Sequence, residues 1–230
     1  KGSENGKLDV ISSIDNITIP DNLQTLLVSR IDRLDEAAKH VLQVASVIGR
    51  MFYYRVLEIV SGASNGFDQR LNNLQRQGLI LENAREPYLE YIFRQALTHE
   101  TAYNSILIKH RKDFHRRVGE TLEDMFRDRV SEFTSVIGHH FYQAQDPRAA
   151  FYYQQEGDAA FKLYANIEAI NNYSKAIDAA MWSDELNLQQ LALLYTCRGR
   201  AYELNSQFIE AIDNYKEMEK FAREYEDVSI

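Results

Sequence analysis

The stretch IEAINNYSKAI, which begins at Ile167, returns as IEAIDNYKEME at Ile209, so the chain resembles itself after 42 residues. Self-similarity at a fixed period marks units that bury their apolar faces only by stacking on one another. The match extends upstream: Gly157 precedes Ala169 by twelve residues and Tyr173 by sixteen, and Gly199 stands in the same relation to Ala211 and Tyr215. Each set predicts a pair of helices. A small residue sits where the first helix is crossed closely, and an Ala and an aromatic four apart share one face of the second. A worn third copy is expected earlier, where Gly138 and Phe141 stand as Gly199 and Tyr202 do, with Ala149, Ala150 and Tyr153 following a shortened AQDP turn.

The first half has a different rhythm. Four amphipathic helices are predicted from PDNLQTLLVSRIDRL, DEAAKHVLQVASVIG, YYRVLEIVSG and FDQRLNNLQRQG. Pro20 suits a first helical position, Asp35 a cap, and Gly49, Gly62 and Gly78 each stand where a helix should stop. After Gly78 the period changes, and LILENA and YLEYIF predict a β-hairpin turning at REPY. Helices followed by such a hairpin give the layout of a winged helix. ALTHETAYNSIL and KHRKDFHRRVGETLEDMF then return to helix. The expected organisation is mainly α: a linker or terminal segment over 1–19, a winged-helix domain over 20–108 and a helical-repeat domain over 109–230.

Charge divides the chain unevenly. Residues 1–19 carry a net of −1, residues 20–120 a net of +2 and residues 121–230 a net of −9. An acidic helical array repels phosphate backbones, which disfavours nucleic acid and favours proteins or peptides as partners. One cysteine, Cys197, cannot form an intramolecular disulfide and fits a reducing compartment. No apolar run reaches the roughly 18 residues of a bilayer span, so a cytoplasmic protein away from membranes is expected. The polar start KGSENGKLDVISSIDN has no signal-peptide core, and the absence of an initiating Met predicts a piece of something longer.

The ordered succession IPDNLQTLLVSRIDRL, VLQVASVIGRMF, LNNLQRQGLI, YIFRQALTHETAYNSIL, RKDFHRRVGETLE and FYYQQEGDAAFKLYAN supports a family resemblance. It resembles the region behind the ATPase module of STAND-class signalling ATPases. It is especially similar to large bacterial proteins that join a class III adenylate or guanylate cyclase, or a protein kinase, to an AAA-like ATPase and tetratricopeptide repeats. The likeness runs from about Ile19 to Tyr215. The two late copies look like tetratricopeptide repeats, whose period is about 34 residues; here the surplus falls around MWSDELNL, residues 181–188.

The resemblance implies an ATPase upstream that holds ATP or ADP and magnesium, a winged helix that relays nucleotide state, and repeats that act as a sensor or docking arm. It implies no catalytic residue and no cofactor within this chain. Where the family commonly shows an aromatic, a basic residue and His, this chain has Phe93, Arg94 and Gln95, and where Gln commonly follows it has His99. In related ATPases a winged-helix His contacts bound ADP, so Gln95, or His99 one turn further on, is implied in that place. Aligning the copies on Gly157 and Gly199 puts Gln154, Asp158 and Lys162, then Thr196, Arg200 and Glu203, on the usual groove-facing positions. These are the expected partner contacts; the plainer reading makes them solvated surface.

Enzyme-like strings fail on spacing. GSENGKL has three residues between its glycines where a phosphate loop needs four, and Leu8 replaces the magnesium-binding hydroxyl. GASNG places Ser64 after a predicted helix, not the strand that a nucleophile elbow requires. HETAY has Tyr103 where a zinc-protease motif needs a second His. His110 and His115 are five apart and His139 and His140 adjacent, without the clustered Cys or carboxylates of a metal site. The rival function is a transcription regulator whose winged helix reads DNA through Arg70, Asn72, Asn73, Gln75 and Arg76. Glu82, Glu86 and Glu90 against Arg85 give the wing the wrong charge for that role.

Overall fold

The computed structural model describes residues 21–63 and 65–228; the readings of Pro20, Ser64 and GSENGKL fall outside them. The protein is mainly helical with one small sheet. Helices α1 (Asp21–Asp32) and α2 (Glu36–Ile48) lead to strand β1 (Met51–Tyr53) and helices α3 (Tyr54–Ser61) and α4 (Phe67–Arg76). The antiparallel pair β2 (Ile80–Ala84) and β3 (Glu90–Phe93) precedes α5 (Ala96–Asn104). Six further helices then pack in chain order: α6 (Ile108–Met125), α7 (Thr134–Gln143), α8 (Ala149–Lys162), α9 (Asn166–Ala180), α10 (Leu188–Leu204) and α11 (Phe208–Val228). Among the described residues, no helix is long and apolar enough to cross a membrane.

Local chemistry sets most boundaries. Asp35 accepts a 2.8 Å bond from the Ala38 amide and satisfies one of the orphan N–H groups of α2. Gly62 closes α3 in the left-handed region at φ 66°, where a Cβ would be costly. The expected two-stranded hairpin is corrected to three strands in the order β1-β3-β2. Met51–Tyr53 pairs antiparallel with β3, Met51 opposite Ile92. Three residues between a helix stop and a helix start are too few to show an alternating pattern, so the sequence predicts no strand there.

The internal echo becomes a repeated turn. Gln145, Tyr164 and Ser206 take φ of 55°, 60° and 60°, and each lies seven residues after a helix glycine: Gly138, Gly157 and Gly199. In every case the following amide reaches back five residues: Asp146 N to Phe141 O at 2.9 Å, Ala165 N to Ala160 O at 3.0 Å, Gln207 N to Tyr202 O at 2.9 Å. This is the Schellman closure of a helix, made three times without the usual glycine.

An aromatic residue from the next helix lies over each of those glycines, with its ring at Gly157 and Gly199 and with its Cβ at Gly138. A Cβ on Gly157 would meet the Tyr173 ring at 2.7 Å, and one on Gly138 would meet Tyr152 at 2.8 Å. Two corrections to the worn third copy follow. The residue over Gly138 is Tyr152, not Tyr153, and α8 belongs to both the α7–α8 and the α8–α9 turns. The worn copy is therefore not a separate helix pair.

One apolar core runs unbroken from Ile31 to Ala201. It passes residue 108 without interruption, because α6 packs on α2 and α3 as well as on α7.

Gly157→Ala and Gly199→Ala separate packing from helix propensity. Each gains about 1 kcal/mol of helix propensity, but the Tyr173 ring is fully buried and cannot yield, whereas Tyr215 is only half-buried. Urea denaturation should show Gly157→Ala losing about 1–2 kcal/mol net and Gly199→Ala staying near neutral. Equal losses would contradict this account of the crossing.

Candidate functional site

Helix α2 ends in the interior, where its last carbonyls have no helical partner. Two histidines from different helices serve them. His99 of α5 places Nε2 2.9 Å from the Ser46 carbonyl, and His140 of α7 bonds the backbone of Ile48. A third histidine does the same elsewhere: His40 Nε2 lies 3.2 Å from the carbonyl of Ser61, the last residue of α3.

His140 continues into a chain. Its Nδ1 lies 2.9 Å from Nδ1 of His115 on α6, and His115 Nε2 lies 3.0 Å from the Tyr103 hydroxyl on α5. Donor counting fixes the direction. With His140 donating its other N–H to Ile48, its Nδ1 must accept, so His115 donates from Nδ1 and accepts from Tyr103 at Nε2. The line Tyr103 → His115 → His140 → Ile48 ties α5, α6, α7 and α2 together through two neutral imidazoles. His139 closes one side, its ring centroid 6.0 Å from that of His115. The rings of His115 and His140 are buried at 3% and 2% exposure.

Burial opposes charge on the rings of His99, His115, His139 and His140. It pushes His115 down to about 4, with His139 and Arg111 adding repulsion, and pushes His140 well below its usual 6.5. His139 is lowered by burial and by Lys175, and His99 by burial against the raising effect of its Ser46 bond.

An aromatic cluster makes a second seam. Phe126 and Phe133 stack at 3.8 Å between centroids, and Tyr88, from the β2–β3 turn, meets Phe126 at 5.6 Å and Tyr53 at 5.8 Å. The turn of the hairpin is thus held against the region between α6 and α7. Arg85, the basic residue of that turn, is ion-paired with Glu82.

Gln95 and His99, the alternative nucleotide contacts, stand in different surroundings. Gln95 is exposed at the N-cap of α5 and makes no side-chain cap bond. His99 points inward, with Nε2 on Ser46 and its ring edge-on to Phe93 at 5.2 Å. Gln95 remains open to a ligand; His99 has spent Nε2 on the fold.

The six expected partner contacts lie on α8 and α10, and they divide evenly. Asp158 accepts from the Tyr173 hydroxyl at 2.7 Å, Glu203 from the Tyr215 hydroxyl at 3.1 Å, and Thr196 donates to Ala192 O at 2.8 Å. The polar heads of Gln154, Lys162 and Arg200 make no hydrogen bond or ion pair among the described residues. Cys197 stands beside Asp158 and Tyr173, where burial and the Asp158 charge raise its thiol against the lowering bond to Tyr173.

Among the described residues, no group of three or more His, Cys, Asp or Glu is placed to hold a metal ion. No family model matches the chain, and no curated protein or solved structure shows significant similarity to it.

Sequence reasoning missed Tyr103, His115 and His140. The signal was present for the two histidines. His115 shares a stripe with Val118, Gly119 and Leu122, and His140 shares one with Ile137, Phe141 and Ala144, all buried.

The neutral chain sets a pH dependence. Because His115 titrates lower in the folded state, the unfolded chain binds more protons between the two values, and stability falls as pH falls through 6.5 towards 4. Chemical denaturation should lose about 2 kcal/mol between pH 7.5 and pH 5 from this group. Tyr103→Phe removes the donor to Nε2 and should cost about 1 kcal/mol at pH 7.5. A stability flat across this range would refute the neutral chain.

Proposed function

We propose that the chain is a non-catalytic regulatory and protein-docking region of a multidomain signalling ATPase. Residues 20–108 act as a winged-helix relay of nucleotide state, and the later helices act as a tetratricopeptide-like arm that receives a protein or peptide. The order of helices and strands, the antiparallel sheet and the repeated turns agree with that layout. The joint carries the reading. The end of α2 is held by His99 from within the first module and by His140 from the arm, so a tilt of the arm moves a donor that the first module needs. Docking on the arm can then be felt in the module without a flexible link.

The rival reading, in which the hairpin grips DNA, is less well supported. Its turn is committed through Tyr88 to the aromatic seam, and Arg85 is neutralised by Glu82. A wing that lies along a duplex needs a free turn and unpaired cations.

Peptides selected against the chain from a random display library provide the test. Arg200→Glu and Lys162→Glu should weaken their binding at least tenfold, and amide exchange at Ser46–Gly49 should slow when peptide is bound. A mixed-sequence duplex at low salt should not bind. Salt-sensitive micromolar duplex binding would favour the DNA reading, and unchanged exchange at the end of α2 would remove the relay.

A further inference from the structure

The stack has two edges of opposite character. On one, the α8–α9 turn exposes Leu163, Tyr164 and Ile167, and the α10–α11 turn exposes Leu204, Phe208 and Ile209, at 57–82% each. These turns are neighbours, because α10 runs antiparallel to α9: Arg198 bonds Ser174 at 3.2 Å while the earlier Tyr195 feels the later Asp178. Around them Glu168, Glu203 and Glu210 outnumber the cations Lys162 and Arg200. An apolar strip of this extent is a contact surface in search of a partner.

The opposite edge carries a complementary feature. Leu107 and Ile108 are each 70% exposed at the start of α6. Lys109, His110, Arg111 and Lys112 follow, and Asp113 is the sole carboxylate before Glu120. Lys112 bonds Gln145 in the α7–α8 turn, and Tyr142 reaches Asp178 at 3.1 Å and Trp182 at 4.9 Å. The start of α6 therefore lies at the edge where α7 and α9 end. The fourteen residues of α8 span the distance between the edges, about 21 Å.

We infer that the occupant of the acidic apolar edge is a second copy of this chain, which inserts its basic Leu107–Ile108 corner. The two surfaces match in charge and in apolar character, and they face away from each other within one molecule. Contact between them is heterologous: every added copy leaves one corner and one edge free, so assembly runs head to tail and does not stop at two. The apolar contact is small, which places the affinity in the micromolar range. This inference is independent of peptide docking on α8 and α10.

Sedimentation equilibrium on the chain decides it. From about 5 to about 500 µM the weight-average mass should climb past that of a dimer, and the affinity should fall several-fold from about 0.05 to about 0.5 M salt. I108D and I209D alter exposed side chains and should each sediment as monomers. Mixed in equal amounts they should form a dimer and go no further, since one supplies the edge and the other the corner. F208E should repeat the result of I209D. A monomeric wild type, a wild type that stops at the dimer, or continued assembly of either variant alone overturns the inference.

Discussion

Helix α2 ends inside the protein, and the groups that satisfy its end come from helices on both sides of residue 108. A buried carbonyl without a donor costs as much as a lost hydrogen bond, so this requirement fixes the neighbours of α2. His99 arrives from α5 and His140 from α7, and His140 can donate to Ile48 only while His115 donates to it. Three helices are placed by the needs of one helix end. The sheet follows, because β1 begins three residues after that end and pairs with β3.

The imidazole was suited to this position by having two nitrogens with opposite roles. A lysine would offer donors but no acceptor, and would bring a charge that burial opposes. The same property makes the joint conditional: it holds while the rings are neutral. The two halves of the core therefore meet in a small polar group surrounded by apolar side chains, not in a loop.

Local signals were legible, and long-range ones were not. Asp35, Gly62 and the change of period after Gly78 each declared a boundary, because capping and left-handed geometry are decided within a few residues. Gly157 with Tyr173 and Gly199 with Tyr215 declared close crossings, because repetition exposes a contact that one copy would hide. β1 was too short to declare itself. The His115–His140 line was invisible as a line, since it depends on where α6 and α7 lie relative to α2. Asp158 and Glu203 carry opposite lessons about equivalence. The two tyrosines are 42 residues apart, but their hydroxyls find carboxylates 45 apart, and Arg200 occupies the place of Asp158. The echo preserved the packing and let the polar partners drift.

The sharing of α8 has a mechanical side. The helix meets Gly138 through Tyr152 and receives Tyr173 at Gly157, five residues further on, so its two neighbours read their angles from one rod. One residue inserted between those points would roll one contact by about 100° relative to the other and advance it by about 1.5 Å. Length variation in this stack therefore has to be absorbed outside α8, and the MWSDELNL segment between α9 and α10 is a place where extra residues leave every crossing in register. In this respect α8 is a gauge block: a piece whose length is the standard against which the rest of the array is set.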